Sequence, residues 1–179
     1  QRKSVFRYLR EIKDKKNLKN SLLEKKLLLA GQVAGLKLNT AFAQGSIEGG
    51  TILIVEAEHK LIAGSVNFSN TQSEELGRQL GVIQTTINSP FGYGESLTAF
   101  GLARPTIKGM KGTGSSVTIR GGGLSFLYPL GDDGLKTSLS YSESMTRPGG
   151  DIASLGIESN MKSGSFGITY PLILREDLS

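Results

Sequence analysis

Hydrophobic and polar positions follow two different periods along the chain, and the change falls near His59. From Ser4 to about Gln32 the apolar positions recur at helical spacing. Val5, Leu9 and Ile12 come first, with charges between them; after a polar break over 14–20 come Leu22, Leu23, Leu27 and Ala30. Residues three or four apart share one face of a helix, so two amphipathic helices are predicted. Ser21 stands three residues before Glu24, the capping-box spacing that opens a helix. Gly31 and Gly35 are candidate stops, because glycine accepts the left-handed conformation found past a helix end. Leu36-Lys-Leu-Asn-Thr-Ala-Phe then alternates with a period of two, and Thr51-Ile-Leu-Ile-Val-Glu-Ala-Glu is rich in β-branched residues. Both predict strands, joined by a turn over 45–50.

Beyond His59 helix signals vanish and alternation takes over. Six strands are predicted, at about 61–70, 77–90, 95–105, 117–130, 135–147 and 159–174. The alternation is clearest in the last three. Leu124, Phe126, Tyr128 and Leu130 oppose Gly123, Ser125 and Leu127; Leu139 and Tyr141 oppose Ser138, Ser140 and Ser142; Phe166, Ile168, Tyr170 and Leu172 oppose Ser165, Gly167 and Thr169. The second face is small and polar rather than charged. A soluble sheet that shows one face to bulk water is usually polar there with Lys, Glu and Arg. A membrane barrel turns its apolar face to lipid and its polar face to a wet lumen.

The connections divide the same way. Short ones are expected at 91–94, 131–134 and 174–177, and longer ones at 71–76, 106–116 and 148–158. Outer-membrane barrels have short periplasmic turns and longer loops on the other side. Pro90, Pro129 and Pro171 each fall where a strand is expected to end, since proline lacks the donor that a central strand needs. They bring Phe91, Tyr93, Tyr128 and Tyr170 to one rim, the place of an aromatic girdle at a membrane interface.

Composition narrows the chemistry. The chain has no Cys and one His, His59, which removes disulfides, thiolate catalysis and Cys- or His-cluster metal sites. No run of 18 apolar residues occurs, so no transmembrane helix is predicted; strands need no such run. Residues 1–60 hold 12 Lys/Arg against 6 Asp/Glu, and 61–179 hold 9 against 10, so the net charge of +5 sits in the first part. Such asymmetry can mark nucleic-acid binding, but a solvated helix face is the plainer reading, and no nucleic-acid partner is expected. Asp132-Asp133-Gly134 reads as a hairpin turn rather than a cation site. Gly109-Met-Lys-Gly-Thr-Gly-Ser-Ser lacks the Gly-Lys-Ser/Thr ending of a phosphate loop. Glu56 and Glu58 share a strand face without a partner acid, Arg120 is a candidate lumen residue, and Arg175-Glu176-Asp177 reads as a solvated turn. With no nucleophile–base pair and no metal set, the expectation is no catalysis, no metal and no cofactor.

Several stretches resemble a known family. Leu23-Glu-Lys-Lys-Leu-Leu-Leu-Ala-Gly-Gln-Val-Ala-Gly resembles part of the second POTRA domain of two-partner secretion transporters, the haemolysin secretion/activation proteins, with Ala30-Gly31 where that family has Asn-Asp. Gly50-Thr-Ile-Leu-Ile-Val-Glu-Ala-Glu looks like that domain's last strand, and Ile62-Ala-Gly-Ser-Val-Asn-Phe-Ser-Asn is similar to the family's first barrel strand. Gly77-Arg, Ile87-Asn-Ser-Pro-Phe-Gly-Tyr-Gly-Glu, Tyr128-Pro-Leu-Gly, Leu139-Ser-Tyr-Ser and Tyr170-Pro-Leu-Ile-Leu-Arg-Glu-Asp resemble later stretches, in the same order. The family's Val-Arg-Gly-Phe/Tyr motif does not occur in these residues.

The resemblance implies an α+β POTRA segment over 1–60, lacking its first strand, and an antiparallel transmembrane β-barrel portion over 61–179. Six strands would belong to a larger monomeric barrel, so the chain is expected to be a fragment. The implied function is export of a large secreted exoprotein across the bacterial outer membrane, with the POTRA domain capturing it unfolded in the periplasm. Strand addition at a sheet edge is one physical route to capture. In that layout Leu36, Leu38, Thr40 and Phe42 would form the edge-strand scaffold. Lys25, Lys26 and Lys37 would form a basic surface that steers an acidic substrate. Outer-membrane lipid would be the second partner. An outer-membrane protein insertion factor of the same architecture is one alternative; a passive porin or a soluble β-rich binding domain is another.

Overall fold

The computed structural model describes residues 2–13, 15–45, 50–105 and 117–172. The turn residues 46–49, the connection 106–116 with its Gly109 loop, and the 174–177 turn with Arg175-Glu176-Asp177 lie outside the described residues.

Two helices come first, α1 (Arg2–Leu9) and α2 (Asn20–Gly31). Val5, Tyr8, Leu29, Ala30 and Val33 are buried together, and Leu9, Leu36 and Leu38 pack against them. The helical spacing thus produces one small apolar core between the two helices and the start of a hairpin. The capping box does not form. Helix α2 begins one residue before Ser21, with Lys19 at the N-cap and no side-chain cap bond. The hairpin pairs β1 (Leu36–Gln44) with β2 (Thr51–His59), antiparallel, from Leu36 opposite His59 to Gln44 opposite Thr51.

Six further strands follow: β3 (Ile62–Ser69), β4 (Leu80–Asn88), β5 (Ser96–Ala103), β6 (Thr118–Leu130), β7 (Leu135–Arg147) and β8 (Ser159–Thr169). They form one antiparallel sheet in sequence order, each strand beside the next. The second predicted strand begins at Leu80 rather than at 77, because Gly77 (φ +79°) and Arg78 (φ +55°) turn the chain before it can extend. Pro129 lies inside β6 but beyond Leu127, the last β6 residue paired with β5, so no β5 ladder bond is lost to it.

The register assigns every strand residue to a face. One face carries Ile62, Val66 and Phe68, then Ile83 and Ile87, then Leu97 and Ala99, then Leu124, Phe126 and Tyr128, then Leu139 and Tyr141, then Phe166 and Ile168. The other carries Ser65 and Asn67, Gln84 and Thr86, Ser96 and Thr98, Gly123 and Ser125, Ser138, Ser140 and Ser142, and Ser163 and Ser165. The small face is knit by hydroxyl pairs, Thr86 with Thr98 at 3.0 Å and Ser140 with Ser165 at 2.8 Å.

Connections 89–95 and 131–134 close one end of this sheet; 70–79, 148–158 and the facing ends of β5 and β6 at Ala103 and Thr118 lie at the other. The 148–158 connection holds a 3-10 turn, Gly150–Leu155. On a flat sheet β4 and β7 stand three strand spacings apart, roughly 14 Å. The connections nevertheless meet, and the Gly149 N–H donates to the Glu75 carbonyl at 2.8 Å. Among the described residues, β3 and β8 each keep one unpaired edge, and so do β1 and β2.

Candidate functional site

The helical module sits on the end of the sheet that has the short connections, and specific bonds hold it there. The link from β2 to β3 is only Lys60 and Leu61. The Lys60 N–H donates to Gly35 O at 2.8 Å, Asn88 Nδ2 donates to Lys60 O at 3.0 Å, and the Asn88 N–H donates to Leu61 O at 2.7 Å. Gly35 has φ +71°, and a Cβ there would lie 2.4 Å from Lys60 O and 2.5 Å from Asn88 Cβ. Only glycine serves both demands, the left-handed backbone and the close approach.

The 89–95 turn is organised from within. Glu95 is 0% exposed, and its carboxylate accepts the N–H groups of Phe91 and Tyr93. Ser89 Oγ accepts the Gly94 N–H at 2.9 Å. Buried carboxylate oxygens need such donors. Gly94 of this turn stands against Val33, next to α2.

The 131–134 turn is held by Lys26, which is 2% exposed. Its ammonium donates to Asp132 O at 3.0 Å and pairs with Glu11 at 2.7 Å and Asp133 at 3.6 Å. Burial disfavours the ammonium, but the Glu11 bond and the charges of Glu11 and Asp133 outweigh it, so the Lys26 pKa is raised. The Lys26 hydrogen bond and charge hold the Glu11 carboxyl below the usual range. Arg7 completes the junction at 3.4 Å from Asp132. Lys26 therefore does not belong to an accessible steering surface. Its charge is consumed inside the junction, while Lys25 is half-buried and Lys37 is exposed opposite Glu58. Sequence reading missed Asn88, Glu95 and this role of Lys26. The one available signal was that Asn88 and Glu95 bracket a Ser-Pro-Phe-Gly-Tyr-Gly turn.

The four edge-strand residues divide by position. Leu36 and Leu38 pack under the helices. Thr40 and Phe42 lie further along the same face, past the core, and both are exposed. At the short-connection end, Tyr93 and Tyr128 meet with ring centroids 6.5 Å apart, and Phe126 stacks on Tyr128 at 6.2 Å. Phe91 and Tyr170 are exposed at that end without joining the cluster.

The apolar face is the largest exposed feature. Val66 is 77% exposed, Phe166 68%, and Ile62, Phe68, Ile83, Leu97, Leu124, Leu139, Tyr141 and Ile168 are exposed as well. Toward the long connections the face turns charged. Glu143 and Lys162 pair across β7 and β8 at 3.7 Å, Arg147 pairs with Glu158, and Arg120 shares the face. Arg120 is thus on the apolar side, not on the small polar face where a lumen residue would stand. Comparison of the chain with protein-family models, with curated proteins and with solved structures finds no match.

Proposed function

We propose that residues 61–179 are strands of an outer-membrane β-barrel and that 1–60 is the POTRA-type periplasmic module that delivers an unfolded partner protein to it for export. One observation carries the barrel reading: an apolar face runs across six strands and is exposed among the described residues. Full burial of a large apolar side chain contributes about 1.5–3 kcal/mol. Ten of them at half that value represent roughly 8–15 kcal/mol, comparable with the whole stability of an ordinary domain. Among the described residues the sheet has no buried apolar cluster of its own to offset this. The buried apolar cluster belongs to the helical module, and Val117 and Pro129 are buried apolar residues of the sheet region. A lipid phase supplies the missing burial.

Three further features support the same reading. The strands run 8–13 residues, around the ~9–11 that cross a bilayer. The opposite face is mostly small and polar over β6, β7 and β8, with Lys136 at its short-connection end, as a wet lumen allows. The apolar band ends in cross-strand ion pairs on one side and in aromatic rings on the other, the two kinds of group that mark membrane boundaries. The export role rests on the sequence resemblance and on the module's position at the short-connection rim.

Arginine substitution in lipid vesicles tests the barrel. Leu139→Arg and Ile83→Arg are expected to lower folding stability by about 2–4 kcal/mol, read as loss of the heat-modifiable band in gel electrophoresis. Ser140→Arg and Ser142→Arg should fold nearly as the parent does. The opposite ranking would mean that the serine face is buried and the barrel reading is wrong.

A further inference from the structure

A cavity of roughly 170 Å³ lies where the helical module meets the sheet. Val33, Leu127 and Pro129 form its apolar walls, and Tyr8, Ser96 and Lys136 bring polar groups to it. Ser96, Leu127, Pro129 and Lys136 all belong to the small polar face, at its short-connection end. Tyr8 and Val33 belong to the helical module. The cavity is thus shared by the two parts of the chain and borders the short-connection end of the polar face.

Among the described residues its charge is unbalanced. The other cations of the junction have carboxylates beside them: Lys26 has Glu11 and Asp133, and Arg7 has Asp132. Lys136 is half-buried, and among the described residues the hydrogen-bond partner of its ammonium is the neutral amide oxygen of Gln32, at 2.9 Å. A partly desolvated ammonium gains most from a carboxylate, through a charge-assisted bond that Gln32 cannot offer. The volume is well below the ~300–1,000 Å³ of sites for drug-sized ligands, so it suits one side chain rather than a cofactor. The apolar walls favour a group with methylenes behind its charge over a bare inorganic anion.

We propose that this cavity receives a Glu or Asp side chain of the polypeptide in transit, with Lys136 as the specificity-determining residue. The inference rests on the export reading, since it places the cavity on the route from module to lumen. Acidic side chains then reach Lys136 as an extended chain passes from the helical module onto the serine face, and the cavity serves as the first selective station of that route.

The test uses the full 179-residue chain in neutral micelles and two dye-labelled probe peptides, Gly-Ser-Val-Glu-Val-Ser-Gly and its twin with Gln in place of Glu. Anisotropy titration is expected to show the Glu peptide binding about tenfold tighter, the scale of one hydrogen bond to a charged group. Lys136→Gln should abolish the difference, Lys136→Arg should keep it, and Lys162→Gln on the apolar face should leave it intact. Equal binding of the twins, or a preference that survives Lys136→Gln, overturns the assignment. So does an equal loss in Lys162→Gln, which would reveal general charge attraction. Vesicle folding separates the two readings: a chain that folds in lipid but treats the twins alike sinks only the cavity, and discrimination without lipid folding sinks only the barrel.

Discussion

A buried lysine ordinarily titrates low, because desolvation disfavours the ammonium. Lys26 goes the other way, since Glu11 and Asp133 more than compensate for its burial. The pH consequences follow from the two signs. Glu11 has a lowered folded pKa, so its contribution is present above the ordinary glutamate value and is lost as pH falls through the lowered one. Lys26 has a raised folded pKa, so its contribution is full below the ordinary lysine value and is lost as pH rises through the raised one. Docking of α2 onto 131–134 should therefore be constant from about pH 5 to 10 and weaken on both sides. Lys26→Met keeps the aliphatic stem and removes the bond to Asp132 O, at an expected loss of about 1–2 kcal/mol. Amide hydrogen exchange across 20–31 and 131–134 measures it, and unchanged protection would show that packing alone holds the junction. Little of this was legible in the sequence. Lys26 sits in a run of helix formers beside Lys25, and its burial depends on a turn 106 residues away. The Ser21–Glu24 spacing misled for a related reason, because α2 starts at Asn20 and places Ser21 inside its first turn.

At the scale of elements the period of two proved a good guide, because facing is a local property of an extended chain. It located β6 and β7 almost residue for residue and the start of β8, but β8 ends at Thr169, so Tyr170 and Leu172 lie outside the strand expected over 159–174. It was noisier over β4 and β5, and the register shows the cause. Leu80, Val82, Phe100 and Leu102 put apolar side chains on the small polar face toward the long connections, so apolar residues occupy both faces there. Gly123 is the complement of that exception, since a Cβ would lie 2.7 Å from the Phe100 ring. In the hairpin, β1 has an unpaired edge, and Thr40 and Phe42 stand clear of the core. If main-chain pairing at that edge captures the partner, Thr40→Pro should abolish binding of the unfolded exoprotein in pull-down, because proline removes a donor. Thr40→Lys keeps the donor and should bind within about threefold of the parent, within a kilocalorie or so. Equal binding by both variants would show that the edge does not capture the substrate.

For the whole molecule, the distribution of buried and exposed apolar surface is the inverse of that in a water-soluble α+β domain. The helices own the core, and the sheet shows its apolar side outward. The unpaired edges of β3 and β8 add a second demand, for strand partners. The 179-residue chain in micelles should accordingly self-associate at micromolar concentration through those edges. Gly164→Pro in β8, which removes one donor, should shift it toward monomer in sedimentation velocity, while Val66→Ser on the β3 face should not. A monomeric parent chain would show that the edges are already satisfied. That demand was readable in advance from six strands in simple succession, whereas the seat of the helices on the rim was not, since it depends on long-range bonds from Asn88, Lys26 and Lys136.

The two-residue passage at Lys60 and Leu61 has a mechanical corollary. Both of its carbonyls and one of its amides are already engaged, by Gly35 and Asn88, so the passage has no slack with which to absorb a pull. It behaves as a torsion bar rather than a tether. Any leverage exerted along the hairpin arrives at β3 as twist, at one of the two borders of that sheet that have no neighbouring strand among the described residues.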